Sequence, residues 1–200
     1  MIALIDYGAG NLHSVANALN AAGARDLAIT ADPERVLRAE RVVLPGVGAF
    51  RACIDGLRAL PGMVEAMEQR VLRDGVPFLG VCVGMQLMAG EGEEFGVHAG
   101  LGWMPGRVAR LTPAGEARVP HMGWNDVVPT TSHPLLVGGE AYFLHSYGFS
   151  GDGVLATTDH GGAVTAAIGR DNLLGVQFHP EKSQRYGIAL LERFLDWNPR

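Results

Sequence analysis

Glycines two residues before and two residues after Cys82, at the end of an apolar run, leave this chain few backbones to choose from. In Val76-Pro77-Phe78-Leu79-Gly80-Val81-Cys82-Val83-Gly84-Met85-Gln86-Leu87-Met88, the segment from Phe78 to Val81 reads as a parallel strand buried on both faces, and Met85, Leu87 and Met88 as the start of a packed helix. The spacing G-x-C-x-G is the thiol form of the nucleophile elbow. Small neighbours permit a sharp strand-to-helix turn that lifts one side chain clear of the sheet. A thiol so placed sits at a helix N-terminus, where partial positive charge favours thiolate and the next backbone N–H, that of Val83, can donate to an oxyanion.

The rest of the first half supplies the sheet that such an elbow needs. Ile2 to Ile5 reads as a strand, Leu12, Val15, Ala18, Leu19 and Ala22 recur at helical spacing before Gly23, and a strand follows over Leu27 to Thr30. Asp32-Pro33 is an N-cap followed by a proline at the first helical position, and Arg41 to Leu44 makes a third strand. Next comes the glycine-rich loop Pro45-Gly46-Val47-Gly48-Ala49-Phe50, then an amphipathic helix over Met63 to Arg73. Alternation of this kind implies an α/β fold with an open, mostly parallel central sheet and flanking helices. The second half holds short strands over Val108 to Leu111, Tyr142 to Tyr147, Val154 to Thr158, Ala163 to Ile168 and Leu173 to Phe178, which predict antiparallel additions. A final helix, Ser183 to Asp196, should cover the sheet with Ile188, Leu191, Phe194 and Leu195. No linker or repeat divides the chain, so residues 1–200 are expected to form one domain.

Composition excludes more than it selects. A formal charge of −5, from 16 Lys plus Arg against 21 Asp plus Glu, does not suit a nucleic-acid binder. No apolar stretch is long enough for a membrane span, and Cys53 and Cys82 alone make no disulfide framework, so a reducing cytoplasm is the expected compartment. Neither a metal-ligand cluster nor a cofactor motif is present. Gly8-Ala9-Gly10 follows the first strand, but His13 stands where a dinucleotide fingerprint needs its third glycine. Cys53 lacks a reactive setting and reads as structural. His121, His133 and His160 read as structural histidines, whereas His145 stays open because of the motif around it.

A nucleophilic cysteine needs a base. His179 ends an apolar strand in Gly175-Val176-Gln177-Phe178-His179-Pro180-Glu181-Lys182-Ser183, and Glu181, two residues on, points the same way in extended chain and can orient the imidazole. Cys82, His179 and Glu181 together make a nucleophile, base and orienter for acyl transfer through a thioester. The N–H of Val47, in the loop after the third strand, is the expected second oxyanion donor beside that of Val83. Glycines on either side of Val47 also permit its peptide to flip, so this donor is expected to be switchable.

The segments PGVGAF, GVCVGMQ and GVQFHPEKS, in that order, resemble the class I, triad-type glutamine amidotransferases. Asp6 to Leu12, Val119-Pro120-His121-Met122-Gly123-Trp124-Asn125 and Tyr142-Phe143-Leu144-His145-Ser146-Tyr147 resemble, more narrowly, the glutaminase subunits of imidazole glycerol phosphate synthases, from histidine biosynthesis. The resemblance covers essentially the whole chain and departs little, Ser146 standing where threonine is as common. It implies Cys82 as nucleophile, His179 as general acid/base and Glu181 as its partner. It also implies glutamine contacts at Gln86, Gly48, Glu94, His145 and Ser146, and a partner-facing surface and ammonia path at Asn11, Met122, Trp124, Tyr142 and Lys182, the chain's only lysine. The partner it implies is a (β/α)8-barrel cyclase, with no cofactor in the glutaminase. Two rivals are a glutaminase subunit serving anthranilate or pyridoxal phosphate synthesis, against which the Asp6 to Leu12 and His121 to Trp124 segments speak, and a non-catalytic module of the same fold, against which the intact triad speaks.

Overall fold

Apolar four-residue strands, each short enough to be buried along its whole length, build the centre of the molecule. The computed structural model describes residues 1–199. Strands β1 (Ile2–Ile5), β2 (Leu27–Thr30), β3 (Arg41–Leu44) and β4 (Phe78–Val81) alternate with helices α1 (Leu12–Ala21), α2 (Pro33–Val36), α3 (Phe50–Arg58) and α4 (Met63–Met67). After the single-turn α5 (Val83–Gln86) come β5 (Ala89–Gly92), β6 (His98–Ala99), β7 (Met104–Arg110), β8 (His121–Pro129), β9 (Gly139–His145), β10 (Tyr147–Gly151), β11 (Val154–Asp159), β12 (Ala163–Arg170) and β13 (Leu173–Val176). A 3₁₀ turn, Pro180–Lys182, and α6 (Gln184–Asp196) follow.

The main sheet has nine strands in the order β2-β1-β3-β4-β13-β12-β11-β8-β9. Its first five strands are mutually parallel, and β12, β11, β8 and β9 extend it antiparallel. The expected α/β architecture is therefore present, parallel where the chain alternates strand and helix, antiparallel where helices drop out. β10-β7-β5-β6 form a second sheet of four. β1, β4 and β13 are buried at every residue, as strands covered on both faces must be. α1 packs on α6, whose C-terminal carbonyls at Phe194 and Trp197 accept hydrogen bonds from Arg41 (3.1 and 2.9 Å). α2, α3 and α4 form a second helical group.

Several expectations are corrected. The helix expected over Met63 to Arg73 is α-helical only to Met67 and widens into a π-turn over Glu68–Arg73, in which Val71 stays buried while Arg70 reaches the Ala39 carbonyl at 2.6 Å. The helix expected after Cys82 is a single turn, because the chain leaves at Leu87 to enter β5 and the second sheet. The strand expected over Tyr142 to Tyr147 breaks at Ser146, where the chain passes from β9 in the large sheet to β10 in the small one. On α6 the buried stripe is Gly187, Leu190, Leu191 and Phe194, with Ile188 and Leu195 on its flanks. Helix α3 and strands β5, β6 and β8 have no counterpart among the expected elements.

Candidate active site

β3, β4 and β13 are adjacent and parallel, with Leu44 opposite Gly80 and Gly175 opposite it on the other side. The loops that leave them therefore emerge together at one sheet edge, the usual place for a site in an open α/β sheet. Pro45 to Ala49 follows β3, Cys82 follows β4, and Gln177 to His179 follows β13.

Cys82 has φ 54° and ψ −109°, a conformation unusual for any residue with a side chain. Close packing enforces it. A Cβ on Gly80 would lie 2.8 Å from the Gly84 carbonyl oxygen, one on Gly84 would overlap the Leu44 carbonyl, and one on Gly175 would lie 2.7 Å from Met85 Cγ. The Cys82 N–H donates to Val176 O at 2.8 Å, so the elbow is stitched to the strand that carries the histidine.

His179 Nδ1 lies 2.8 Å from Glu181 Oε1, and both side chains are almost completely buried. Burial by itself lowers the imidazole's affinity for a proton. Hydrogen bonds to the Cys82 side chain and the Glu181 carboxylate outweigh it and raise His179 to about 10, favouring imidazolium between two acceptors. With only one helical turn after Cys82, these neighbours, rather than a helix dipole, dominate the local field. Ser183, fully buried, holds the turn in place: its Oγ donates to His179 O (2.6 Å) and accepts from Tyr142 N–H (2.9 Å).

Cys82, His179, Val47, Gly48, Val83, Gln86, Glu94, His145 and Ser146 all line one cavity of about 300 Å³, with Lys182 at its edge. The expected nucleophile and base and the expected oxyanion and substrate positions thus meet in a single space of amino-acid size, with Glu181 behind His179 and outside the lining. Gln86 is buried and donates its amide N–H groups to Tyr147 O (2.9 Å) and Gln177 Oε1 (3.0 Å), leaving its amide oxygen to offer a ligand. Glu94 is already engaged, Oε2 accepting from Phe50 N–H at 2.8 Å and so capping α3.

The two expected oxyanion donors are not presented to the cavity together in this conformation. The Val83 N–H donates to Gly46 O at 3.3 Å. In a trans peptide the carbonyl and N–H point in opposite directions, so the Val47 N–H of that same unit faces away from Cys82. In this conformation one donor is engaged and the other is turned away.

Sequence reasoning missed Gln177, Tyr147, Leu144, Pro120 and Ser183. Gln177 is wholly buried and its Nε2 lies 3.7 Å from Cys82 Sγ. Its position two residues before His179, in the strand expected over Leu173 to Phe178, was a signal for the same face, although β13 ends at Val176 and the chain bends at Gln177 and Phe178. Of the expected partner-facing residues, Met122, Trp124, Tyr142 and Lys182 form one surface. Met122 pairs with Leu144 and Trp124 with Tyr142 across β8 and β9, and the Lys182 Nζ lies 5.8 Å from the centre of the Tyr142 ring. Asn11 precedes α1, which packs against the 3₁₀ turn bearing Lys182. His121, expected to be structural, is joined to His145 at 3.0 Å.

A family model for class I glutamine amidotransferases matches residues 3–197. This chain belongs to the class I glutamine amidotransferases. Within that family it is 64% identical over 205 residues to "Imidazole glycerol phosphate synthase subunit HisH" of Zymomonas mobilis, covering 99% of this chain and 96% of the relative. The protein of the same name from Rhodospirillum rubrum is 52% identical over 212 residues, covering 99% of each. Among solved structures, one described as "Crystal structure of glutamine amidotransferase" superposes with a TM-score of 0.75 at 19% identity, over 98% of both chains, a likeness of fold. No helix of the described residues is long and apolar enough to cross a membrane, and no group of His, Cys, Asp and Glu among them is arranged to hold a metal ion.

Proposed function

We propose that this chain is the glutaminase subunit of an imidazole glycerol phosphate synthase, which hydrolyses glutamine and passes the ammonia to a cyclase partner. The observation that carries the catalytic reading is His179 held between Glu181 and Cys82 at the wall of a cavity of amino-acid size. Cys82 sulfur attacks the γ-carboxamide carbon of glutamine, and the electron pair of the C=O bond moves to oxygen. His179, as imidazolium, gives its proton to the departing nitrogen. The tetrahedral intermediate collapses to a γ-glutamyl thioester with release of ammonia. Water then attacks the thioester carbonyl carbon and gives a proton to His179, the carbon–sulfur bond breaks with its electron pair going to sulfur, and glutamate leaves as Cys82 is restored beside the imidazolium. Glu181 keeps Nδ1 protonated and stabilises the imidazolium. Gln86 positions substrate through its free amide oxygen, suited to an ammonium group.

The hydrogen bond from Val83 N–H to Gly46 O supports a gate within this reading. Rotation of the Gly46–Val47 peptide removes the carbonyl from Val83 and turns the Val47 N–H towards the oxyanion, so both donors appear in one movement. The partner, which we take to be a (β/α)8 barrel, and its acceptor nucleotide trigger that rotation. The site is expected to need no cofactor, and the enzyme to act in the cytoplasm.

The test is glutamate release from glutamine by the purified complex with the cyclase subunit and its acceptor nucleotide. Cys82→Ala is expected to remove it, leaving complex formation intact, and the isolated chain to be nearly silent. Undiminished release by Cys82→Ala would overturn the catalytic assignment.

A further inference from the structure

Beneath the glycine-rich loop lie two buried donors that the mechanism does not use. The Tyr7 hydroxyl, on a residue 6% exposed, donates to Pro45 O at 2.6 Å. The Cys53 thiol, on a residue with no exposed surface, donates to Val47 O at 3.4 Å. These are the carbonyls on either side of Gly46. The carbonyl between them, Gly46 O, is held among the described residues by the Val83 N–H of the elbow above, at 3.3 Å.

We infer that Tyr7 and Cys53 are positioning residues that clamp the peptides on both sides of the Gly46–Val47 unit, so that this one peptide rotates while its ends stay fixed against Cys82. The inference rests on the gated reading of the loop given above. A loop free at all three peptides has many ways to move its carbonyl off Val83, and few of them aim the Val47 N–H at the oxyanion. With Pro45 O and Val47 O anchored, and the proline ring fixing one further torsion, rotation about the line joining the flanking Cα atoms is the motion left.

The surroundings are fitted to this task. A Cβ at Gly46 would lie 2.8 Å from the Tyr7 hydroxyl, 2.7 Å from Gly84 N and 2.9 Å from Val83 Cβ, so the loop is wedged between the clamp below and the elbow above. Cys53 and Gly56 lie three residues apart on α3, on one face, and a Cβ at Gly56 would meet the Tyr7 carbonyl oxygen at 2.9 Å. α3 is itself pinned at its start by Glu94. Burial, first of all, raises Tyr7 far above an ordinary phenol and Cys53 to about 11, so both remain protonated donors over the working range of pH.

The test uses the complex with the cyclase subunit, with and without acceptor nucleotide, and compares wild type with Tyr7→Phe, Cys53→Ala and Cys53→Ser. Complete loss of an oxyanion donor slows turnover about 100- to 1,000-fold, so loose aim is expected to lower the stimulated kcat of Tyr7→Phe and Cys53→Ala at least about tenfold. KM for glutamine should stay within about twofold, because the oxyanion exists only in the transition state. Alkylation of Cys82 by iodoacetamide, which forms no oxyanion, should keep its wild-type rate. Cys53→Ser, which restores a donor, should recover most of the lost kcat. If Tyr7→Phe does not fold, the Cys53 pair carries the test. Stimulated turnover of both variants within twofold of a stimulated wild type overturns the clamp and leaves the gate standing. Failure of Cys53→Ser to recover, or loss of kcat together with raised KM and slowed alkylation, overturns it as general distortion. A wild type that nucleotide does not stimulate overturns gate and clamp together.

Discussion

At Cys82 the chain holds a strained backbone within an elbow whose glycines, Gly80, Gly84 and Gly175, leave no room for a Cβ. The atoms that a Gly80 methyl would meet, Gly84 O at 2.8 Å and Gly84 C and Met85 N at 2.9 Å, are all backbone, with no flexible side chain to yield. Gly80→Ala is therefore expected to destabilise the protein by about 1–3 kcal/mol, the range for overpacking a tight core. It should also move Cys82 relative to His179, with a larger effect on kcat/KM than on stability. A urea midpoint equal to the wild type's would mean that the elbow has slack. This part of the site was legible in the sequence because the constraint is local, two glycines at fixed spacing around one cysteine. Tyr7 and Cys53 were not, because their partners are backbone carbonyls, for Tyr7 one that lies 38 residues away, and no side-chain pattern records such a bond. Gln177 falls between: its place two residues before His179 was a readable hint, but the bends at Gln177 and Phe178 that set its side chain beside Cys82 were not.

Among the elements, β8 and β9 do more than extend the sheet. His145 Nδ1 faces Tyr147 O at 2.8 Å and must donate, so its Nε2 accepts from His121 Nδ1 at 3.0 Å, and His121 Nε2 in turn accepts from the Asn125 amide at 3.0 Å. The same amide nitrogen donates to Asp159 O at 2.8 Å. This directed chain ends on the cavity wall, where Tyr147 O also holds Gln86. It is complete only when both histidines are neutral. Burial, then the charges of neighbouring histidines, lower His121 to about 4, and burial with His160 and His179 nearby does the same for His145. Both lie below their unfolded values, so the unfolded chain binds more protons, and this contribution to stability is full above about pH 6.5 and lost as pH falls towards 4. His179 has the opposite sign: raised to about 10, its contribution is full below about pH 6.5 and lost as pH rises through 10. Urea denaturation from pH 7 to pH 4.5 should show an acid limb that approaches about 1.4 kcal/mol per pH unit for each histidine, and His121→Gln should reduce it by about one proton. An unchanged limb would sink this account. β8 escaped sequence reading because its faces mix polar and apolar residues: His121 points inward, and Met122 and Trp124 point out.

For the whole molecule the decisive feature is where the cavity lies relative to the outer face of β8 and β9. Met122 is 65% exposed, Trp124 48% and Leu144 37%, a contiguous apolar surface on paired strands, with β9 at the sheet edge. Leu144 belongs to both places: its carbonyl lies 3.9 Å from Cys82 Sγ, it lines the cavity, and its side chain sits on that surface. Lys182 likewise lines the cavity while lying over the Tyr142 ring beside Trp124. On the function proposed above, ammonia formed at Cys82 would have Leu144 between it and this apolar surface, and a partner docked there would both cover its exit and reach the turn that carries Glu181. An exposed tryptophan at the centre of such a surface is the natural anchor, and truncating an anchor costs at least about 2 kcal/mol. Trp124→Ala should therefore weaken binding to the cyclase subunit by at least about tenfold, with the urea midpoint of the free chain unchanged because the ring is half in solvent. Lys182→Ala should weaken binding less but lower the fraction of ammonia transferred, read as cyclised product per glutamate formed. If Trp124→Ala binds as tightly as wild type, the partner docks elsewhere. If Lys182→Ala leaves both affinity and that ratio unchanged, the only lysine in the chain is a solvated one.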